Sequence, residues 1–326
     1  MKATGKLLMF SAVLLCSSGL RPQASAQTAK LRVAYTAFAG TFTVLWVGKD
    51  AGLYQKFSAD MELLYIGSST KSVQALLGAT STSCTRPPAR WSMPISPAEL
   101  AMIGCQYDKG QTSFFTTAAV TSIGDLKGKA VGVTRFGAFS DFAARHVLKK
   151  HRLQPIKDVA LLQLGGTQEI IAGMQNNLIQ GGSVSLPLTI NARKLGFREL
   201  LTTEAIGLPF DYGCIIVKNS QLKSRREELK KFLRATIAAY DLAIADPAFA
   251  KRTIGKYTRT TDTATLEETY KENVKDYALR IPYVSLAGLN SILKFRAESS
   301  TEVKKLALDK MYDNSLLQEI QKETMK

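Results

Sequence analysis

Val131-Gly132-Val133-Thr134-Arg135-Phe136-Gly137-Ala138-Phe139-Ser140-Asp141 decides the fold: a short apolar run, a Gly/Ser loop, then an amphipathic segment from Phe142 to Lys150. The same order of residue types occurs about 98 residues earlier in Val33-Ala34-Tyr35-Thr36-Ala37-Phe38-Ala39-Gly40-Thr41, again followed by a helical segment, from Phe42. Each copy reads Val, small, aromatic or Val, Thr, any residue, Phe, then two small residues. Downstream, Leu63 to Thr70 matches Leu161 to Gln168 at the same offset. A strand-loop-helix unit that occurs twice, each time followed by a second one, predicts two similar α/β lobes.

In each copy the loop lies after a β-run and before a helix, so its backbone N–H groups and the helix N-terminus carry partial positive charge at the strand's carboxyl end. Ligands of open α/β sheets bind at that edge. Two such lobes joined by crossing segments offer four helix N-termini to one cleft: after Gly40, after Ser68-Ser69, after Gly137 and after Gly166-Thr167. That suits a small anionic or polar solute. Gly and Ser also serve turn geometry in any α/β protein, so one loop alone says little, and two matched pairs say more.

A chain of 326 residues, 45% of them hydrophobic, is long enough for two cores. Met1 to Ala26 reads as a secretory signal, with Lys2 and Lys6 at its charged start, Leu7 to Leu15 as its apolar stretch and Ala24-Ser25-Ala26 as its cleavage site. The expected address is the periplasm. A net charge of +16 is compatible with nucleic acid, an acidic surface or an anionic solute. Basic residues are interleaved with acidic ones along Leu222 to Arg234 and Phe249 to Lys256, which reads as a solvated basic face, and no nucleic-acid partner is expected. His146 and His151 stand five apart and share no helical face, so they read as solvated helix residues, and neither a metal nor a cofactor is expected.

Along the chain, strands are predicted over Leu31–Tyr35, Met61–Ile66, Leu100–Cys105, Val159–Leu164, Gly182–Leu186, Glu199–Thr202 and Tyr212–Val217. Helices are predicted over Phe42–Gln55, Thr70–Leu77, Thr167–Asn176, Leu188–Leu195, Arg225–Ala245, Pro247–Lys256, Asp262–Tyr277, Ser285–Glu298 and Asn314–Thr324. Phe232, Leu233, Ile237, Tyr240, Ile244, Leu289, Ile292 and Leu293 are the core faces of the C-terminal set. Ser122 to Lys129 is a polar turn anchored by Ile123 and Leu126. Between Ala79 and Glu99 the pattern fails: four prolines, Pro87, Pro88, Pro94 and Pro97, stand where a βαβ architecture wants a third strand and another helix.

The GLYQKF after the first helix, SIGDLKGKAVGV, RFGAFSDFAARHVLKK, LQLGG, ARKLGFREL and TLEETYKENVKDY resemble the solute-binding proteins of ABC importers of the sulfonate, nitrate and taurine type, whose superfamily includes thiamine-precursor binding proteins. The resemblance runs from about Lys30 to the C-terminus. It implies an α/β, two-lobed periplasmic-binding-protein (type II, venus-flytrap) fold with a C-terminal helical cover, closing as a monomer on a solute that it delivers to a membrane permease. The divisions expected are a signal peptide over 1–26, lobe one over 27–110, lobe two over 111–212, and a return to lobe one with the C-terminal helices over 213–326. The candidate ligand residues are Phe38, Ala39, Gly40, Thr41, Ser68, Ser69 and Thr70 from lobe one, then Phe136, Gly137, Ser140, Gly166, Thr167, Gln168, Ser185 and Pro187 from lobe two. Their N–H and hydroxyl groups would hold a sulfonate, carboxylate or similar oxygen cluster. Phe38, Phe136 and Tyr212 either stack on an organic body or belong to the core. Arg135 either adds a full charge or is an ordinary exposed loop residue.

The family has a stretch of the type GDIDI where the pattern fails. Ala79 to Thr85 can be encoded as GCG ACA TCG ACA TCC TGT ACA, and the same bases read two positions on give Asp-Ile-Asp-Ile-Leu-Tyr. Trp91 to Ala98, shifted the same way, can give Val-Asp-Ala-His-Leu-Ala-Gly. Ala79 to Glu99 is therefore read as an out-of-frame segment between two compensating indels, against the alternative of a genuine Pro-rich loop. As written, the chain is expected to lose a central strand and to be poorly soluble. The shift removes Cys84, and Cys16 falls in the signal, which leaves Cys105 and Cys214. Both lie on the segments that the resemblance assigns to the lobe crossings, which implies a disulfide. An enzyme of the related pyrimidine-synthesising branch would need a clustered Cys/His constellation and a cytoplasmic address, and a transcriptional sensor would need a helix-turn-helix ahead of the lobes. The sequence carries none of these, so no catalysis is expected.

Overall fold

The computed structural model describes residues 30–66, 69–78, 83–86, 99–297 and 308–325. The segment read as a signal peptide and most of Ala79 to Glu99 lie outside them. Ten strands run in chain order as β1 (Leu31–Tyr35), β2 (Met61–Tyr65), β3 (Ser83–Arg86), β4 (Leu100–Lys109), β5 (Ser113–Thr116), β6 (Ala130–Val133), β7 (Ala160–Gln163), β8 (Gly181–Val184), β9 (Arg198–Leu201) and β10 (Pro209–Lys218). The helices are α1 (Thr43–Asp50), α2 (Leu53–Lys56), α3 (Ser69–Leu77), α4 (Phe139–Lys150), α5 (Thr167–Gln175), α6 (Leu188–Lys194) and α7 (Thr203–Ile206). The C-terminal set follows as α8 (Asn219–Ser224), α9 (Arg226–Ala245), α10 (Pro247–Thr258), α11 (Thr263–Tyr270), α12 (Leu286–Ala297) and α13 (Ser315–Thr324).

The strands form two five-stranded sheets of one design, β2-β1-β3-β10-β4 and β7-β6-β8-β5-β9. The repeat seen in the sequence is kept in the pairing. Val33 lies opposite Leu63 and Val131 opposite Leu161, both parallel, and the third strands repeat the relation, with Val33 opposite Ser83 and Val131 opposite Gly181. In each sheet the fourth strand, β10 or β5, then pairs antiparallel to the third.

The expected loss of the third strand of lobe one is thus corrected. Ser83–Arg86 fills that place, because the slot between β1 and β10 offers backbone donors and acceptors on both sides and a β-ladder asks little of side-chain identity. β5 also escaped the sequence reading: Ser-Phe-Phe-Thr is too short to show a period, yet all four residues are buried. The single helix expected over Phe42–Gln55 is divided at Gly52, whose left-handed backbone (φ 67°) ends α1 and starts α2. The helix expected over Asp262–Tyr277 is α-helical only to Tyr270, after which Lys271–Asp276 widens into a π-helical turn.

Packing follows from pattern. α1 is apolar almost throughout and is buried almost throughout, with Leu45 and Trp46 against the sheet side and Val44 and Val47 against Ala239, Ala243 and Ile254 of the helical cover. α4 turns Phe142, Val147 and Leu148 inward and carries Asp141 in its first turn and Lys149 and Lys150 in its last, as the helix dipole favours. α9 packs Leu229, Phe232 and Leu233 with Leu316, Leu317 and Ile320 of α13. The same helix pair is pinned at its edge where buried Lys230 reaches Glu319 at 3.1 Å and Glu323 at 2.9 Å. Ile244, expected in the core, is instead 40% exposed near the end of α9. His146, expected in solvent, is half-buried, and that burial pushes its pKa below the ordinary value. α12 straddles the two lobes, with Leu289 in the core of lobe one and Ile292 and Phe295 against Phe142 of lobe two.

β4 and β10 are the chain's crossings between the sheets, and they pair with each other from Leu100↔Lys218 to Lys109↔Pro209. Cys105 and Cys214 lie directly opposite in that ladder and are joined by a disulfide, as the sequence reading expected.

Candidate functional site

Two tyrosines on the crossing strands bring the two hooks together. Tyr107 of β4 directs its hydroxyl to the carbonyls of Asn273 at 2.9 Å and Thr41 at 3.3 Å, so it holds the first hook of lobe one. Its ring lies 6.3 Å from that of Tyr212 on β10, which in turn lies 5.1 Å from Phe139 at the start of α4 in lobe two. Phe139 sits on Gly110, where a Cβ would come within 2.2 Å of its ring, so only glycine admits it. The chain Thr41, Tyr107, Tyr212, Phe139 therefore sets the loops after β1 and β6 on the two sides of one aromatic floor. Burial pushes Tyr212 up to about 12 and Tyr107 well above its ordinary value, so the floor is uncharged at neutral pH.

In the hook of lobe one, Gly40 and Thr41 are buried in a 3-10 turn behind half-buried Ala39. A side chain at Gly40 would collide with Thr269 and Asn273, which press on it from the helical cover. Thr43 donates its hydroxyl to the Gly40 carbonyl at 2.6 Å. Phe38 is 44% exposed and lies 4.3 Å, ring to ring, from Tyr65 at the end of β2, itself 50% exposed. Ser68 and the side chains of Ser69 and Thr70, which begin α3, lie outside the described residues.

The hook of lobe two presents a ring of the same kind, Phe136, 45% exposed, with the Arg145 guanidinium 5.9 Å from its centre. Its backbone, however, is satisfied from within. The Thr134 amide donates to Ser140 Oγ at 2.9 Å, the Phe136 amide to Gln163 Oε1 at 2.8 Å, and the Gly137 amide to Asp141 Oδ2 at 2.8 Å. Ser140 is buried and its hydroxyl also lies 2.7 Å from that of Thr134, so its polar group braces the loop. Gly165 donates to the Thr134 carbonyl at 2.9 Å, which ties the next loop to this one. Gly166 then caps α5, with Thr167 half-buried and Gln168 exposed in the first turn. Ser185 donates to the Gln111 carbonyl at 2.7 Å, and Pro187, after a cis peptide bond, precedes α6.

A cavity of about 320 Å³, lined by no residue of either hook, lies between lobe two, at Ser113, Arg193 and Thr203, and the helical cover, at Glu268, Glu272 and Tyr277. Arg193 bridges this gap, pairing with Glu199 of its own lobe at 2.7 Å and with Glu268 of the cover. Glu272 lies 3.2 Å from the Thr203 hydroxyl, and burial, with the nearby charges of Glu268 and Glu199, pushes its pKa up to about 7. Asp211, on β10, is also raised to about 7, by burial first and then by Asp108, while the Ser285 amide donates to it at 3.0 Å.

Tyr65, Tyr107, Asp141, Gln163 and Asn273 were not singled out from the sequence. Tyr65 and Gln163 were within reach of it, since they hold the same place in the two copies and each backs the Phe of its own hook.

The NMT1/THI5-like family pattern matches residues 40–250, which take in Gly40 and Thr41 of the first hook, the whole of the second and both crossing strands. The chain belongs to the NMT1/THI5-like family. No curated protein matches this NMT1/THI5-like chain in sequence. Among solved structures it is similar to a protein of Bordetella bronchiseptica RB50, with a TM-score of 0.74 at 15% identity over 91% of this chain and 98% of that one. It is similar to the periplasmic aliphatic sulphonate binding protein SsuA of Escherichia coli, with a TM-score of 0.69 at 13% identity over 82% and 91% of the two chains. It is also similar to the periplasmic nitrate-binding protein NrtA of Synechocystis PCC 6803, with a TM-score of 0.68 at 13% identity over 90% and 88%. At such identities the likeness is one of fold: this NMT1/THI5-like protein has the two-lobed periplasmic-binding-protein architecture with its helical cover.

Proposed function

We propose that the protein is the periplasmic solute-binding component of an ABC importer, taking a small anionic or polar organic solute between its lobes and delivering it to a permease in the cytoplasmic membrane. The observation that carries this reading is the pair of hooks, built in one register and set on either side of the Tyr107–Tyr212 floor. The family membership supports it, as do structural neighbours that bind a sulphonate and nitrate. Phe38 with Tyr65 and Phe136 supply surface for an organic body, and the lobe-one turn at Gly40 and Thr41 supplies amides for its polar end. The protein acts as a monomer, since each copy carries both halves of its cleft.

The test is a thermal-shift screen of the purified chain with sulfonates, nitrate, taurine, aromatic carboxylates and pyrimidines. A true solute at a hundredfold its Kd is expected to stabilise the fold by about 2.7 kcal/mol. Recovery from the periplasmic fraction should accompany it. A cytoplasmic location, or a melt that no member of the panel moves, would overturn the assignment.

A further inference from the structure

The two hooks share a design and part company at one position. Thr43 and Asp141 hold the same place in the two copies. Thr43 donates a hydroxyl to the Gly40 carbonyl, so the turn in lobe one acquires no charge, and neither that turn nor α1 has an acid in its first turn. Asp141 instead brings a carboxylate, almost wholly buried, to the start of α4, where Oδ2 accepts from the Gly137 amide at 2.8 Å and Oδ1 from Arg145 Nε at 2.7 Å. The neighbouring position diverges to the same effect. Tyr65 backs Phe38 with a ring, whereas Gln163 backs Phe136 by accepting its amide proton. Of the five amides from Thr134 to Ala138, four are taken, the last by the Arg135 carbonyl at 3.1 Å. The second helix start of lobe two repeats the device in part: Glu169 lies in the first turn of α5 with its carboxylate against Gly166.

Resting on the solute-binding reading above, we propose that Asp141 is a specificity-determining residue of the cleft: its carboxylate stands, from inside the protein, where the start of α4 would otherwise attract an anion. Lobe two then meets a solute with the Phe136 ring and turns free inorganic oxyanions away, and the polar grip is left to lobe one. The carboxylate satisfies the helix start from within and cancels the Arg145 charge beside it, so neither is left to draw in an anion from solvent. The solute class selected is an organic molecule with a flat apolar body and a single polar end.

The test compares sodium sulfate, sodium nitrate and sodium benzenesulfonate by titration calorimetry on the full chain, wild type against Asp141→Asn. Asparagine keeps an acceptor for the Gly137 amide, removes the charge, and leaves Arg145 and the start of α4 unopposed. The expected result is weak or absent sulfate and nitrate binding by the wild type and a gain of about tenfold or more in the variant, with benzenesulfonate affinity changing less. Gln163→Leu, at an exposed position, frees the Phe136 amide and is expected to raise sulfate affinity several-fold if Asp141→Asn does not fold. Sulfate affinity unchanged in either folded variant overturns the proposal, as does a wild type that binds sulfate as tightly as benzenesulfonate. A wild type silent to benzenesulfonate, beside an Asp141→Asn protein that gains sulfate, leaves Asp141 in its role and overturns the organic solute.

Discussion

Tyr107 and Tyr212 stand ring to ring at 6.3 Å on neighbouring crossing strands, one bonded to the hook of lobe one and the other packed on the hook of lobe two. The pair therefore joins the two hooks through side chains. The pair is uncharged at neutral pH, and of the two only Tyr212 reaches the surface, since Tyr107 is fully buried.

Tyr107→Phe removes the hydroxyl shared by the Asn273 and Thr41 carbonyls and leaves two buried acceptors short of a donor. A loss of about 1–3 kcal/mol in stability is expected, read from urea unfolding with an unchanged slope. A variant as stable as the wild type would show that the hook is held by packing alone.

Asp211 and Glu272 set the pH response. Each titrates near 7 in the folded protein and near 4 in an unfolded chain, so between those values the folded state holds more protons. Stability from these groups is full below about pH 4 and is lost as the pH rises through 7. The melting temperature is expected to fall between pH 5 and pH 8, and Asp211→Asn with Glu272→Gln to flatten that slope. The same slope in the double variant would remove these two carboxyls as its source.

Phe38→Ala and Phe136→Ala truncate half-exposed rings that little of the core depends on. Each is expected to leave the melting temperature of the free protein within a few degrees while weakening an organic solute by about 1–3 kcal/mol. Calorimetry decides: equal affinity in both variants would place the solute elsewhere.

Reducing the Cys105–Cys214 disulfide releases a loop closed across 109 residues. A stability loss on the order of 2–5 kcal/mol is expected under reducing conditions. Peptide mapping without reduction should recover the two cysteines in one linked fragment, and two alkylated free thiols would contradict the bond.

The segment from Ala79 to Glu99 is tested by resequencing the gene and by peptide mass spectrometry. Peptides carrying Asp-Ile-Asp-Ile-Leu-Tyr are expected, and peptides matching the sequence as written would end the frame-shift reading. The strand at Ser83–Arg86 does not discriminate, because its ladder is made by backbone atoms that both readings share.

The doubled hook was legible because its residue types recur at one offset, and the pairing of Val33 with Leu63 and Val131 with Leu161 is that offset in three dimensions. The C-terminal helices were legible from their apolar faces. The strand at Ser83–Arg86 was not, since four residues, Ser-Cys-Thr-Arg, show no apolar period and acquire strand structure only from the neighbours that flank them. Nor was the difference in kind between the hooks: an Asp three residues into a helix is an ordinary N-terminal residue on paper, and only its reach back to Gly137 makes it a competitor for an incoming anion. The cavity between lobe two and the helical cover depends on Arg193 meeting Glu268 from 75 residues away, which no local pattern announces.

The covalent stitch between β4 and β10 restricts how the molecule can open. Two rails bolted together at Cys105 and Cys214 have no freedom to slide past one another, so any movement of one lobe against the other has to flex the paired ribbon as one piece. The ladder is irregular on both sides of the bolt, changing register between Pro209 and Tyr212 and again between Ile215 and Ile216, and Gly213 between them takes a left-handed backbone. On the solute-binding reading proposed above, grip and swing would then fall on the same few residues.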